Sequence, residues 1–158
     1  MGGRQPGFHP PVPCYVDKFK NNIKTPKVYF LDTGLAAYLT RWHTPEVLQN
    51  GAMAGAFFET FVVAEVIKSY YKAGVLEPPL YFYRDKEQNE IDLMVYRDMV
   101  LHPIEIKKHA DPRKDDVTVF RILDKIPGVK RAPGGVVCMY DHLLPLKDED
   151  MIIPLKFV

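Results

Sequence analysis

The sequence predicts an α/β domain with a mixed central sheet flanked by helices. Three observations carry that prediction. Residues 56–72 form a long stretch whose apolar side chains recur at helical spacing. Three runs rich in β-branched and aromatic residues follow, Leu80–Arg84, Glu90–Val95 and Leu101–Lys108. A second helical pattern, from about Asp115 to Ile126, then separates the third run from another apolar run at Val136–Tyr140. Consecutive strands joined by tight turns pair antiparallel, whereas a strand, a helix and a strand in succession pair in parallel through a crossover. The order helix, three strands, helix, strand therefore gives a mixed sheet with a helix on each face.

Taken in order, residues 1–13 are rich in Pro and Gly and read as a linker, and the domain is expected over residues 25–158, with 1–24 outside it. Lys27–Leu31 is a β-branched and aromatic run, hence a strand. Asp32–Thr33 then caps a helix through Thr40. Apolar residues followed by Asp32–Thr33–Gly34 also resemble the catalytic motif of aspartic proteases, but those need a second such aspartate and an almost wholly β fold. Neither is present, so Asp32 is read as a cap. Pro45 opens a short helix in the connector 44–54. The long helix ends near Ala73–Gly74, where Gly74 is a suitable terminator. Of Tyr81, Phe82 and Tyr83, two are expected in the core because a strand alternates its faces. Val119, Ile122, Leu123 and Ile126 give the second helix its apolar stripe, and Met151–Val158 reads as a last edge strand.

The chemistry gathers on the second and third strands. In Ile104–Lys107, the two isoleucines point one way and Glu105 and Lys107 the other. In the strand before it, Ile91, Leu93 and Val95 oppose Glu90, Asp92 and Met94. A turn at 96–99 makes the two a hairpin and brings Asp92 near Glu105 and Lys107. Glu105 and Lys107 alone read as an ordinary ion pair on an exposed sheet face, since short motifs match by chance. Glu59 adds weight. Its helical neighbours are Val62, Val63, Val66 and Tyr70, so it projects from the face that packs on the sheet, while Glu65, Lys68, Ser69 and Lys72 form the polar face. A first-turn carboxylate can also simply meet the helix dipole. Carboxylates that hold a hard cation through oxygen, with a lysine beside them, are what a metal-dependent phosphodiester hydrolase requires.

The order Glu59, Asp92, Glu105–Ile106–Lys107 resembles the PD-(D/E)XK nuclease superfamily, the restriction-endonuclease-like fold. Lys27–Leu35, Gly55–Glu59, Tyr81–Arg84, Glu90–Asp92 and Pro103–Lys107, in that order, look more closely like the uncharacterised C-terminal domain of bacterial and archaeal AAA-type ATPases. Ile91 stands where the superfamily's name has proline. The resemblance implies a restriction-endonuclease-like fold and a Mg²⁺- or Mn²⁺-dependent nuclease. In it Asp92, Glu105 and Glu59 are metal ligands and Lys107 is the catalytic lysine, with Glu90 a substitute or supporting group. It further implies nucleic acid, DNA foremost, as substrate, and an ATPase module preceding residues 1–24. No Gly-x-x-x-x-Gly-Lys-Ser/Thr loop occurs in the chain, so the chain looks like a fragment or separated tail of a larger protein.

Composition sets bounds. The chain has 158 residues, 47% hydrophobic and 26% charged, which suits one globular domain. A formal net charge of +1 supplies no general attraction to nucleic acid. Residues 102–131 hold eight Lys/Arg against five Asp/Glu, the best candidate for a phosphate-facing region. Two cysteines make no disulfide framework or zinc site. With no apolar span or signal segment, a cytoplasmic protein without membrane contact is the default expectation. The competing reading is a catalytically silent module that binds a partner or nucleic acid and regulates the ATPase.

Overall fold

The computed structural model describes residues 27–42 and 44–158. The expectation for residues 1–24 lies outside them. Three α-helices come first: α1 (Thr33–Leu39), α2 (Pro45–Asn50) and α3 (Ala54–Lys72). Six strands follow: β1 (Leu80–Arg84), β2 (Glu90–Arg97), β3 (Val100–Lys107), β4 (Gly135–Cys138), β5 (Leu144–Lys147) and β6 (Asp150–Pro154). They form one sheet in the order β1-β2-β3-β4-β6-β5. β1, β2 and β3 are antiparallel neighbours; β3, β4 and β6 run parallel; β5 is antiparallel to β6. The predicted mixed sheet is thus the one that forms.

Each face of the sheet is covered. On one face Val62, Val63 and Ile67 of α3 pack on Leu80, Phe82, Leu93, Ile106 and Val137. On the other, Val117, Phe120 and Leu123 pack on Tyr83, Ile91, Met94, Leu101, Val136 and Ile152. Phe82 and Tyr83 are buried and Tyr81 is half-buried, so two of the three lie in the core as expected, but they are adjacent residues on opposite faces, buried because both faces of the sheet are covered. Asp32 caps α1 by accepting a hydrogen bond from the Leu35 N–H at 2.9 Å, and Thr44 caps α2 with Pro45 in its first turn. Ala73 ends α3, and Gly74 at φ 81 takes the left-handed conformation that closes such helices. No helix among the described residues is long and apolar enough to cross a membrane.

Several elements differ from expectation. Lys27–Leu31 is not a strand; only Lys27 and Phe30 make single bridges, and side chains anchor the run instead. The crossover segment Lys114–Lys125 is a 3₁₀ helix. Its buried residues, Val117, Phe120 and Leu123, recur every third position and so lie directly above one another at three residues per turn. Val119, Ile122 and Ile126 of the expected stripe are only partly buried against it. The last strand, β6, lies inside the sheet rather than at its edge. The Asp148–Glu149 turn, with Asp148 at φ 54, lets Leu144–Lys147 fold back beside it. Pro145, which has no N–H to donate, suits that edge strand.

Two backbone positions yield tests. Asp98 and Met99 sit at φ 52 and 67, the pair of left-handed residues that a two-residue hairpin turn demands. Met99 bears that strain of about 1 kcal/mol for want of glycine, so Met99→Gly should raise stability by roughly 0.5 kcal/mol. At Gly134 a Cβ would lie 2.2 Å from the Pro103 carbonyl oxygen, so Gly134→Ala should cost more than about 2 kcal/mol. Urea denaturation midpoints at constant slope report both.

Candidate active site at the β2–β3 hairpin

One extra residue in β2 builds the site. Tyr81 pairs with Met94 and Tyr83 with Ile91, so Phe82 of β1 faces two residues, Asp92 and Leu93. This is a β-bulge, a device that re-aims a side chain and recurs beside active sites. It overturns the simple alternation expected for β2. Ile91 and Met94 pack in one cluster, while Leu93 and Val95 pack in the other. Asp92 falls at the change of face. The β2–β3 register pairs Leu93 with Ile104, and one step further sets Asp92 opposite Glu105. Asp92 Oδ2 accepts a hydrogen bond from the Ile106 N–H at 2.9 Å, which holds the carboxyl against β3.

Glu105 is 7% exposed. Its Oε1 accepts from Lys107 Nζ at 2.6 Å. Its Oε2 is buried and, among the described residues, receives no hydrogen bond. The Asp92 carboxyl lies close enough to share a proton with it when one of the two is protonated. Asp92, Glu105 and Lys107 therefore converge as the hairpin implied.

Glu59 arrives from α3. The helix starts at Ala54, two residues earlier than expected, so Glu59 stands in the second turn, and the first turn holds no acidic residue. Dipole stabilisation of a first-turn carboxylate is thereby removed as its explanation. Its Oε1 accepts from Lys27 Nζ at 2.8 Å and from the buried Tyr29 hydroxyl at 2.7 Å. Lys27 also pairs with Glu90 Oε1, and Arg84 Nη2 with Glu90 Oε2. The Phe82 ring centroid lies 5.4 Å from Lys27 Nζ. Lys27, Tyr29 and Arg84 were not picked out from the sequence. The alternation of Lys27, Tyr29 and Leu31 along one extended run was the available signal, together with Arg84 closing the aromatic strand.

The electrostatics follow from burial and crowding. Burial, and then the charge of Glu59, raise the Asp92 pKa above the carboxylate range against the Ile106 N–H, Lys27 and Lys107. Burial and the adjacent Asp92 push Glu105 up to about 8, although Lys107 opposes both. Burial works against the Lys107 ammonium, yet Glu105 and Asp92 outweigh it and hold its pKa above the ordinary lysine value. Lys27 behaves alike, with Glu59 and Glu90 outweighing its burial. Among the described residues, no group of three or more His, Cys, Asp or Glu side chains is arranged to hold a metal ion. The convergent acidic pair is Asp92 and Glu105. In the expected phosphate-facing region 102–131, each arginine meets a carboxylate: Arg113 meets Asp111, Arg121 meets Asp148, and Arg131 meets Asp124 and Asp150.

The raised Glu105 pKa makes stability depend on pH. The folded chain keeps this proton to about pH 8, whereas the unfolded chain releases it near 4.5. Between those values the folded state binds more protons, so the contribution is complete below pH 4.5 and is lost as pH rises to about 8. In the presence of a chelator, wild type should lose melting temperature across that window relative to Glu105→Gln. Parallel thermal melts with no such divergence would remove the buried-proton account.

Comparisons with known proteins attach no activity to the chain. An uncharacterised protein of Mycobacterium bovis is 27% identical over 144 residues, covering 90% of this chain and 30% of its own length. An uncharacterised protein of Mycobacterium tuberculosis matches with the same identity and coverage. The chain thus spans about a third of the length of these relatives. No solved structure matches it significantly. The family model described as a domain of unknown function, DUF4143, matches residues 54–158, a span that contains α3 and the whole sheet, and the chain belongs to that family.

Proposed function

We propose that this chain is a metal-dependent nuclease domain of the restriction-endonuclease-like type, hydrolysing phosphodiester bonds in nucleic acid, with DNA the expected substrate. The observation that carries the reading is Glu105 Oε2, buried beside the Asp92 carboxyl with no donor. A buried carboxylate oxygen without a hydrogen-bond partner costs about 1–3 kcal/mol. A proton or a cation removes that cost. Two carboxylates are few for a protein-enclosed metal cage, but Mg²⁺ characteristically takes one or two, with waters and substrate phosphate oxygens completing its shell.

In this reading Asp92 and Glu105 hold Mg²⁺ or Mn²⁺. When bound, the ion acidifies a water and polarises the phosphate. Lys107 does the rest of the work. Its ammonium is tethered by Glu105 Oε1 and 35% exposed, so it faces outward from the same carboxylate. There it can orient the attacking water or meet the charge that develops on the phosphate. Glu59, expected as a third ligand, reaches Asp92 electrostatically but has Lys27 and Tyr29 as its direct partners. The sheet order, with three antiparallel strands followed by a helix and a parallel strand, supports the same fold reading. The longer relatives leave room for the ATPase module that the motif blocks imply.

The second reading is the silent regulatory module. What favours it is the internal pairing of Glu59 and Glu90 with Lys27 and Arg84, which a purely structural cluster would also show. Plasmid nicking and single-strand cleavage in Mg²⁺ or Mn²⁺ separate the two. Wild type should cleave only with metal, and Asp92→Asn and Glu105→Gln should each lower the rate by about 10³-fold or more. Lys107→Ala should lose cleavage yet keep the metal-dependent rise in melting temperature. Wild type that neither cleaves nor gains melting temperature with metal leaves the regulatory module as the answer.

A further inference from the structure

Lys27 stands in an unusual place. Its ammonium lies between Glu59 and Glu90, over the Phe82 ring, with a side chain only 19% exposed. Glu59 Oε1 is engaged twice, by Lys27 and Tyr29. Both Glu90 oxygens are engaged, one by Lys27 and one by Arg84. Glu105 Oε2, by contrast, is buried and open. The acidic cluster is therefore divided: Glu59 and Glu90 are held by Lys27, Tyr29 and Arg84, whereas Glu105 has Lys107 on Oε1 and, among the described residues, no hydrogen bond on Oε2.

We propose that Lys27 is a built-in counter-ion which keeps Glu59 and Glu90 away from divalent metal, so that the site takes a single divalent cation, on Asp92 and Glu105. The inference rests on the metal reading above. Charge decides the stoichiometry. Glu59, Glu90, Asp92 and Glu105 supply four negative charges, and Lys27, Arg84 and Lys107 supply three positive ones. One unit of negative charge remains when all are ionised. A single divalent ion turns that into one positive unit; a second would leave three positive units in a half-buried cluster, with Lys27 as the nearest like charge. Removing Lys27 frees Glu59 and Glu90 and lowers that charge, so a second ion becomes acceptable. Lys27 is thus a positioning residue. It acts by fixing which carboxylates are available, not by touching the reacting atoms.

The test is Mn²⁺ binding without nucleic acid, by titration calorimetry and by the electron paramagnetic resonance signal of free Mn²⁺. Wild type should bind one equivalent, and Lys27→Met should bind two. The paired change Lys27→Met with Glu59→Gln removes one positive and one negative group together. It should bind the first ion within about twofold of wild type, because Glu59 is not its ligand. Two equivalents on wild type overturn the proposal, as does a tenfold or greater loss of first-ion affinity in the paired variant. So does a folded Lys27→Met that still binds one. Circular dichroism checks folding; where Lys27→Met does not fold, Lys27→Gln replaces it with the same expected and overturning outcomes. No Mn²⁺ binding by wild type instead defeats the metal reading itself, and this inference with it.

Discussion

The extra residue in β2 is the constraint on which the rest depends. A strand buried on both faces has no natural place for a carboxylate, because every side chain enters one apolar layer or the other. The bulge at Asp92 and Leu93 breaks the count once. Beyond it, Leu93 and Val95 join the α3 face, while Met94 joins the face under the 3₁₀ helix. At the break itself Asp92 belongs to neither layer. Its carboxyl turns along the sheet to the Ile106 N–H and so meets Glu105 from the neighbouring strand. The same irregularity keeps the sheet apolar on both sides and gathers the polar groups at one seam.

Gathering them has an electrostatic cost, which the chain meets in two ways. Around Glu59 and Glu90 the answer is permanent cations, Lys27 and Arg84. Around Asp92 and Glu105 it is incomplete: Lys107 satisfies one oxygen, and the raised pKa values record the remainder as a tendency to hold a proton. A fully structural cluster would gain by finishing the pairing, since an unmatched buried charge is among the costlier features a fold can carry. Two buried atoms of the cluster, Glu105 Oε2 and Arg84 Nε, stay without a hydrogen bond among the described residues, so the pairing is unfinished in both halves.

The sheet and the acidic pair were legible because they rest on local periodicity: alternation in β3, helical spacing in α3, and a short turn between β2 and β3. What was hidden depends on contacts distant in sequence. The β2 bulge changes which of Leu93 and Met94 shares a face with Ile91, and nothing in the run Glu90–Val95 signals it; the partner strand imposes it. Lys27 reaches Glu59 across 32 positions and lies at the edge of a run that reads as a plain strand. The 3₁₀ helix had a local signal that a search at helical spacing passes over: the three-residue repeat of Val117, Phe120 and Leu123. β5 was missed because Leu144–Lys147 carries a proline and little apolar pattern, as an edge strand can.

The surface sets a different requirement from the site. A protein that grips nucleic acid by itself does so mainly by neutralising phosphates with unpaired Lys and Arg. Here the formal net charge is +1, and the arginines of residues 102–131 are drawn onto Asp111, Asp124, Asp148 and Asp150. The exposed pairs among them are weak, on the order of 0–1 kcal/mol each, so a phosphate can compete for those side chains. Arg131 is the exception, because it also anchors the buried Asp150, which in turn accepts from the Gly134 N–H at 2.8 Å next to β4. Drawing Arg131 away would strand a buried carboxylate and loosen the start of β4. Sustained phosphate contact in this stretch therefore falls to Arg113, Arg121 and the lysines.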